Sequence, residues 1–149
     1  MTELIVAGPI LPLNHWSSDG RRVNDLAVGQ LPVPLMALVE PRVHWNVGWI
    51  EEVRFILATH GPTVWVRARV TNDELIERFT TSDTGRLPCG VDLTVGAWTF
   101  DDRQRGTATG ARLDGVTVYL GDETPAFDDA QLAVTHRGLA VDDVPTVAP

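Results

Sequence analysis

The chain contains no lysine: its 12 basic residues are all arginine, against 20 acidic ones, giving a formal charge of −8 over 149 residues. That balance argues against a nucleic-acid groove, which needs clustered cations to displace the counterions of phosphates. The missing lysine reads as the bias of a GC-rich genome rather than as a mechanism. A lone cysteine, Cys89, excludes an internal disulfide framework and argues against an extracellular scaffold. The apolar start, "MTELIVAGPILPL", has no basic n-region and is interrupted by Pro9 and Pro12, so it does not read as a signal peptide. No apolar run approaches the ~20 residues of a membrane helix, so a soluble chain with no membrane contact is expected. His15, His60 and His136 sit at turn-like sites with no paired spacing, and neither a metal nor another cofactor is expected.

What is present fits one globular domain. The 44% hydrophobic content is ordinary, and the length suffices to bury a core. Residues 1–140 read as that domain, and residues 141–149, "VDDVPTVAP", as a flexible tail. Acidic residues crowd into the last third ("DDRQR", "GDETPAFDD"), where they read as a solvated surface.

Strand signals dominate. "ELIVA" is a short β-run closed by Gly8 and Pro9, and "WSSDGRRV" is a turn with Asp19-Gly20 suited to positive φ. Two prolines make the first half of "LPVPLMALV" an edge or irregular, and its second half a strand. "HWNVGWIEEVRFILATHG" reads as a long strand bulged near Gly48. "TVWVRARV" sets Val64, Val66 and Ala68 against Trp65, Arg67 and Arg69, and forms a hairpin with the strand before it. One helix follows, with Thr71 and Glu74 as a capping box, Leu75, Ile76 and Phe79 on one face, and Glu74 and Arg78 as an i,i+4 pair. "GVDLTVGAWTF", "ARLDGVTVYL" and "AQLAV" complete the set. The expectation is a mainly β (α+β), antiparallel domain, barrel-like or sandwich-like, with one or two helices.

The stretch "GRLPCGVDLTVG" lacks a serine where a nucleophile would be sought, and this matters because of a resemblance. "WSSDGRRV", "LPVPLMAL", "VGWIEEV", "GVDLTV" and "ARLDGVTVYLGDETPAFDDAQLAV" occur in that order. They resemble the successive blocks of the capsid maturation (prohead) protease family of tailed bacteriophages, in its actinobacterial-phage branch. The likeness runs from Gly8 to Thr135, and "SDGRR…LPVPL" and "PAFDDAQLAV" are its most specific parts. It implies a barrel-like fold akin to herpesvirus assemblin, and serine peptide hydrolysis, which needs a nucleophile, a histidine base and an orienting group.

All three roles are altered here. The family's Gly-Val-Ser block reads Gly90-Val91-Asp92, and a carboxylate offers no hydroxyl proton for a base to remove. Thr94 is a substitute if the register slips by two, which keeps the same strand face; an ordinary strand threonine is the plainer reading. Cys89 is a nucleophile if a base activates it, and otherwise a small buried hydrophobe. The resemblance places the base at His44, in "VEPRVHWNVGWIEEV", with a shortened spacing to the Val-Gly pair. The third member corresponds to Gly115-Val116-Thr117, beside Asp114.

Two functions follow from the resemblance. In the first, the chain is a catalytically degenerate homologue that binds the major capsid protein or shell as an assembly factor, decoration or minor capsid protein. In the second, it is an active maturation protease using Thr94 or Cys89. Either works in the host cytoplasm during assembly, and the first extends to the virion capsid and to self-association. For binding, Trp16 in the polar "NHWSSDGRR" loop reads as an exposed anchor. Trp65, Arg67 and Arg69 share a face of a strand read as an edge, where the arginines either block sheet-to-sheet pairing or form with the indole a patch that docks on an acidic surface.

Overall fold

Every second side chain of "TVWVRARV" turns out to be sealed from water: Val64, Val66, Ala68 and Val70 are all 0% exposed. The same alternation, repeated along neighbouring strands, closes a barrel. The computed structural model describes residues 3–39, 42–58, 61–121 and 125–135. The tail 141–149, His60 and His136 lie outside these residues, as do the side chains of His44 and Trp45.

The elements are β1 (Leu4–Pro12), β2 (Arg21–Val23), β3 (Leu26–Val28), β4 (Val33–Val39), β5 (Arg42–Ala58) and β6 (Gly61–Val70), then α1 (Asp73–Thr81). They continue with β7 (Arg86–Thr94), β8 (Ala97–Phe100), β9 (Gly106–Thr109), β10 (Ala111–Tyr119) and β11 (Gln131–Val134). Strands pair in the order β4-β5-β6-β1-β11-β7-β10, and β10 pairs back to β4, closing seven strands into a ring. The pairing is antiparallel except between β10 and β4. Because β7 occupies one edge of β10, β3 and β4 lie end to end along the other, both parallel to it. A small sheet, β2-β9-β8, is hydrogen-bonded separately from the barrel, and its Val23 and Ala108 pack into the same core. The fold is thus the expected mainly β barrel with one helix. Its stability comes from the lining, since each fully buried valine or leucine contributes about 1.5–3 kcal/mol.

Local readings needed four corrections. β1 does not stop at Gly8-Pro9: Pro9 sits opposite Trp65 at a register shift, where a missing amide is tolerated. "GVDLTVGAWTF" is two strands in two sheets, because the Gly96 amide leaves the barrel to bond the Thr109 and Gly110 carbonyls. The helix cap is Asn72, whose side chain accepts from the Leu75 amide at 3.0 Å, while the Thr71 hydroxyl donates to the Val47 carbonyl. Arg78 donates to the Leu120 carbonyl at 2.6 Å, tying the helix to the end of β10. Leu75, Ile76 and Phe79 are buried as the spacing predicts.

The bulge near Gly48 is present and larger than one residue: from Leu35 to Ala37 β4 takes two steps while β5 takes four, from Gly48 to His44. Asn46 sits there at φ 61, so simple strand alternation does not carry across this point. A Cβ on Gly48 would overlap the Arg69 carbonyl oxygen, so this crossing admits only glycine. Pro34 fits because β10 begins pairing only at Leu35, leaving Pro34 one strand neighbour.

Candidate functional site

The catalytic candidates fall on two sides of the barrel wall. On β7, Cys89 opposes Val118 and points into the core, 0% exposed. Burial pushes its thiol up to about 12, so it stays protonated at neutral pH and is no nucleophile. Asp92 and Thr94 occupy the opposite face. The Thr117 hydroxyl donates to Asp92 Oδ2 at 2.8 Å. Thr94 Oγ1 donates to Asp114, which Arg112 Nε also meets at 3.2 Å. The Thr94 hydroxyl, and after it Arg112, hold the Asp114 carboxyl below its ordinary value. A carboxylate so stabilised is a weaker base than a free one and does little to withdraw the Thr94 proton.

His44 pairs through its backbone with Ala37, on β5, and both β4 and β10 stand between that strand and β7. Among the described side chains His15 is the histidine present, in a groove beside Trp16 and Asp128. Among the described residues no group of three or more His, Cys, Asp or Glu could hold a metal ion.

Beside Asp92 the wall is incomplete. The β11–β7 ladder runs Val134–Gly85, Leu132–Leu87, Ala130–Cys89, with Val134 N to Gly85 O at 3.0 Å and Cys89 N to Ala130 O at 3.1 Å. It ends there because the chain turns at 127–130, where the Ala130 amide bonds the Phe127 carbonyl. In an antiparallel ladder alternate residues direct both backbone groups to one side. The next such residues of β7 are Val91 and Leu93, and among the described residues no hydrogen bond continues the ladder to them.

A cavity of about 360 Å³ lies along this edge. Leu11, Val23, Val91, Leu93, Val95 and Phe127 form its apolar part, with Ser17, Asp19, Arg21 and Asp92 as the polar part and Trp98 at the rim. The Asp-Gly-Arg turn builds one wall. Gly20 has φ 79, as the sequence predicts. Ser17 bonds the turn amides: its hydroxyl accepts from Arg21 N at 2.9 Å and its carbonyl from Gly20 N. The Ser17 hydroxyl itself donates to Asp19, which pairs with Arg21 at 3.2 Å. Ser18 N to Ala126 O at 2.9 Å fastens this turn to the opposite wall.

The binding candidates sit elsewhere. Trp16 is half-buried rather than exposed, with the Arg22 and Arg105 guanidiniums 4.3 and 4.4 Å from its ring centre. Asp101 fixes Arg105 at 2.8 Å and Thr107 fixes Arg22 at 3.2 Å, so the indole is held by anchored cations. Trp65, Arg67 and Arg69 do share the outer face of β6, but β6 lies between β5 and β1 and is not an edge strand. Its arginines join an alternating chain: Arg54–Glu52 2.6 Å, Glu52–Arg67 3.1 Å, Arg67–Glu51 3.3 Å, Glu51–Arg69 3.2 Å, Arg69–Glu3 2.6 Å. A register shift between Ile50 and Glu52 lets successive glutamates reach the same face. This patch is electrostatically matched within the chain.

Val23 and Phe127 lie inside blocks that carry the resemblance and Leu11 lies outside them, but nothing in the sequence marks any of the three as lining a groove. No family model matches the chain, and no curated protein or solved structure is similar enough to count as a match.

Proposed function

We propose that this chain is a catalytically degenerate homologue of the prohead-protease type that acts by binding during phage-type capsid assembly, as an assembly factor, decoration or minor capsid protein. Its partner is the major capsid protein or the shell, met in the host cytoplasm and retained on the virion. The observation that carries the reading is Asp92: it stands at the serine position of the resemblance, and Thr117 holds its carboxylate. The order of the sequence blocks and the closed barrel with its helix support the same reading. The competing reading, an active maturation protease, gains nothing from Cys89, whose thiol is buried and neutral, or from Thr94, whose carboxylate partner is a weakened base.

The test mixes purified chain with its capsid subunit and with assembled shells. The subunit stays uncut and the chain co-sediments with shells. Specific cleavage that Thr94→Ala or Cys89→Ala abolishes would overturn the proposal in favour of the protease.

A further inference from the structure

The open edge of β7 has the three features that strand addition requires. Val91 and Leu93 turn backbone donors and acceptors toward the cavity, and among the described residues no strand takes them. An added strand would lie on an apolar floor, against Leu11, Val23 and Phe127. Backbone pairing supplies affinity in such a mode, and pockets for alternate side chains supply specificity. The third feature is charge. Asp19 and Arg21 in the wall neutralise one another, whereas Asp92 meets a hydroxyl and, among the described residues, no cation. The groove therefore carries one uncompensated carboxylate next to the open edge, in a protein of formal charge −8.

We propose that this groove binds an extended peptide as an additional strand on β7, and that Asp92 selects a basic side chain flanked by apolar residues. Asp92 then acts as a specificity determinant at the position where the resemblance would put a nucleophile. The peptide's outward basic residue pairs with the Asp92 oxygen that Thr117 leaves unused, while its alternate side chains enter the apolar floor. This deepens the binding reading above, but the groove itself stands on geometry and does not depend on the capsid assignment.

The probe is a dye-labelled peptide of about six residues, the usual strand length, alternating valine and arginine with blocked ends. Fluorescence anisotropy should show it binding about tenfold or more tightly than the same peptide with glutamate for arginine, a difference of ~1.4 kcal/mol. Asp92→Asn keeps an acceptor for Thr117, and so the fold, while erasing that preference. Methylating alternate peptide amides should abolish binding. Residue-resolved hydrogen exchange should show the Val91 and Leu93 amides slowing when the arginine peptide is added. No binding at millimolar peptide, binding without that protection, or an unchanged preference in Asp92→Asn would each sink the groove proposal. If the peptide binds as described and shells do not co-sediment, the groove stands and the capsid partner is wrong.

Discussion

Thr117 and Asp92 meet diagonally across the β7–β10 seam: the register sets Thr117 against Gly90 and Asp92 against Gly115, and the two side chains join at 2.8 Å. Both direct opposites are glycines, so neither competes for the space between the two side chains. Thr117 is 8% exposed, and its hydroxyl therefore depends on the acceptor that Asp92 supplies.

Asp92→Ala should lower the unfolding free energy by about 1–3 kcal/mol, the cost of stranding a buried polar group. Asp92→Asn should cost less, because an amide oxygen still accepts. Adding Thr117→Val to Asp92→Ala should recover part of the loss, since the orphaned hydroxyl is then gone. Urea denaturation of wild type, the two Asp92 variants, Thr117→Val alone and the double variant checks this, and additive effects of Asp92→Ala and Thr117→Val would argue against the coupling.

Cys89 makes the alkaline limb of stability a specific expectation. Its folded thiol titrates at about 12 against an ordinary 9.0, through burial. The folded state thus disfavours the thiolate, and the sign follows: the contribution is intact below the ordinary value and is lost as pH rises toward 12. Between those values stability should fall by up to ~1.4 kcal/mol per pH unit from this group. Cys89→Ala should flatten that slope, at the cost of a small cavity. Iodoacetamide should leave the folded chain unlabelled at pH 8 and label it fully in urea. Rapid labelling of the native protein would mean that the thiol is not sealed.

Much of the barrel is legible in the sequence because its cause is local. Val64, Val66, Ala68 and Val70 declare an inward face, and Leu75, Ile76 and Phe79 declare a helical one. What stayed hidden depends on partners far along the chain. Nothing in "ELIVAGPILP" says that Pro9 falls at a register shift, nor in "DLTVGAWTF" that Gly96 finds Thr109 and Gly110. The site divides in the same way. Gly90-Val91-Asp92 stands out by its resemblance, whereas the groove exists because the β11 ladder stops at Ala130, a consequence of a turn beginning at Phe127. The same distinction explains β6: its charged outer face was readable, but its interior position and its glutamate partners, on β5 and just ahead of β1, were not.

The ion chain on that face gives a test that separates structure from docking. Replacing Arg67 and Arg69 together by glutamate would set like charges against Glu51, Glu52 and Glu3. The double variant should melt several degrees below wild type, and added salt should recover part of the difference by screening the repulsion. Arg67→Gln with Arg69→Gln should sit between the two. Unaltered melting with lost shell binding would instead assign the arginines to an interface.

Gly20 offers the sharpest test of the wall opposite β7. Its φ of 79 lies in the left-handed region that β-branched residues avoid. Space is not the obstacle, because a Cβ there would lie 3.6 Å from Arg105 Cγ, an ordinary contact. The penalty is therefore conformational, of order 1–3 kcal/mol for a non-glycine residue held there. Gly20 also binds its surroundings through both backbone groups, its amide to the Ser17 carbonyl and its carbonyl to the Gly106 amide at 2.9 Å. The turn cannot relax without loosening the small sheet. Gly20→Val should lower the melting temperature by roughly 2–12 °C, given ~2–4 °C per kcal/mol for a domain of this size. Gly20→Asn, which tolerates positive φ better, should recover part of that drop. Because the turn forms one wall of the groove, Gly20→Val should also weaken arginine-peptide binding at temperatures where the variant remains folded. A valine variant that melts with wild type, or an asparagine variant that melts below the valine one, would show that the turn does not hold the conformation described.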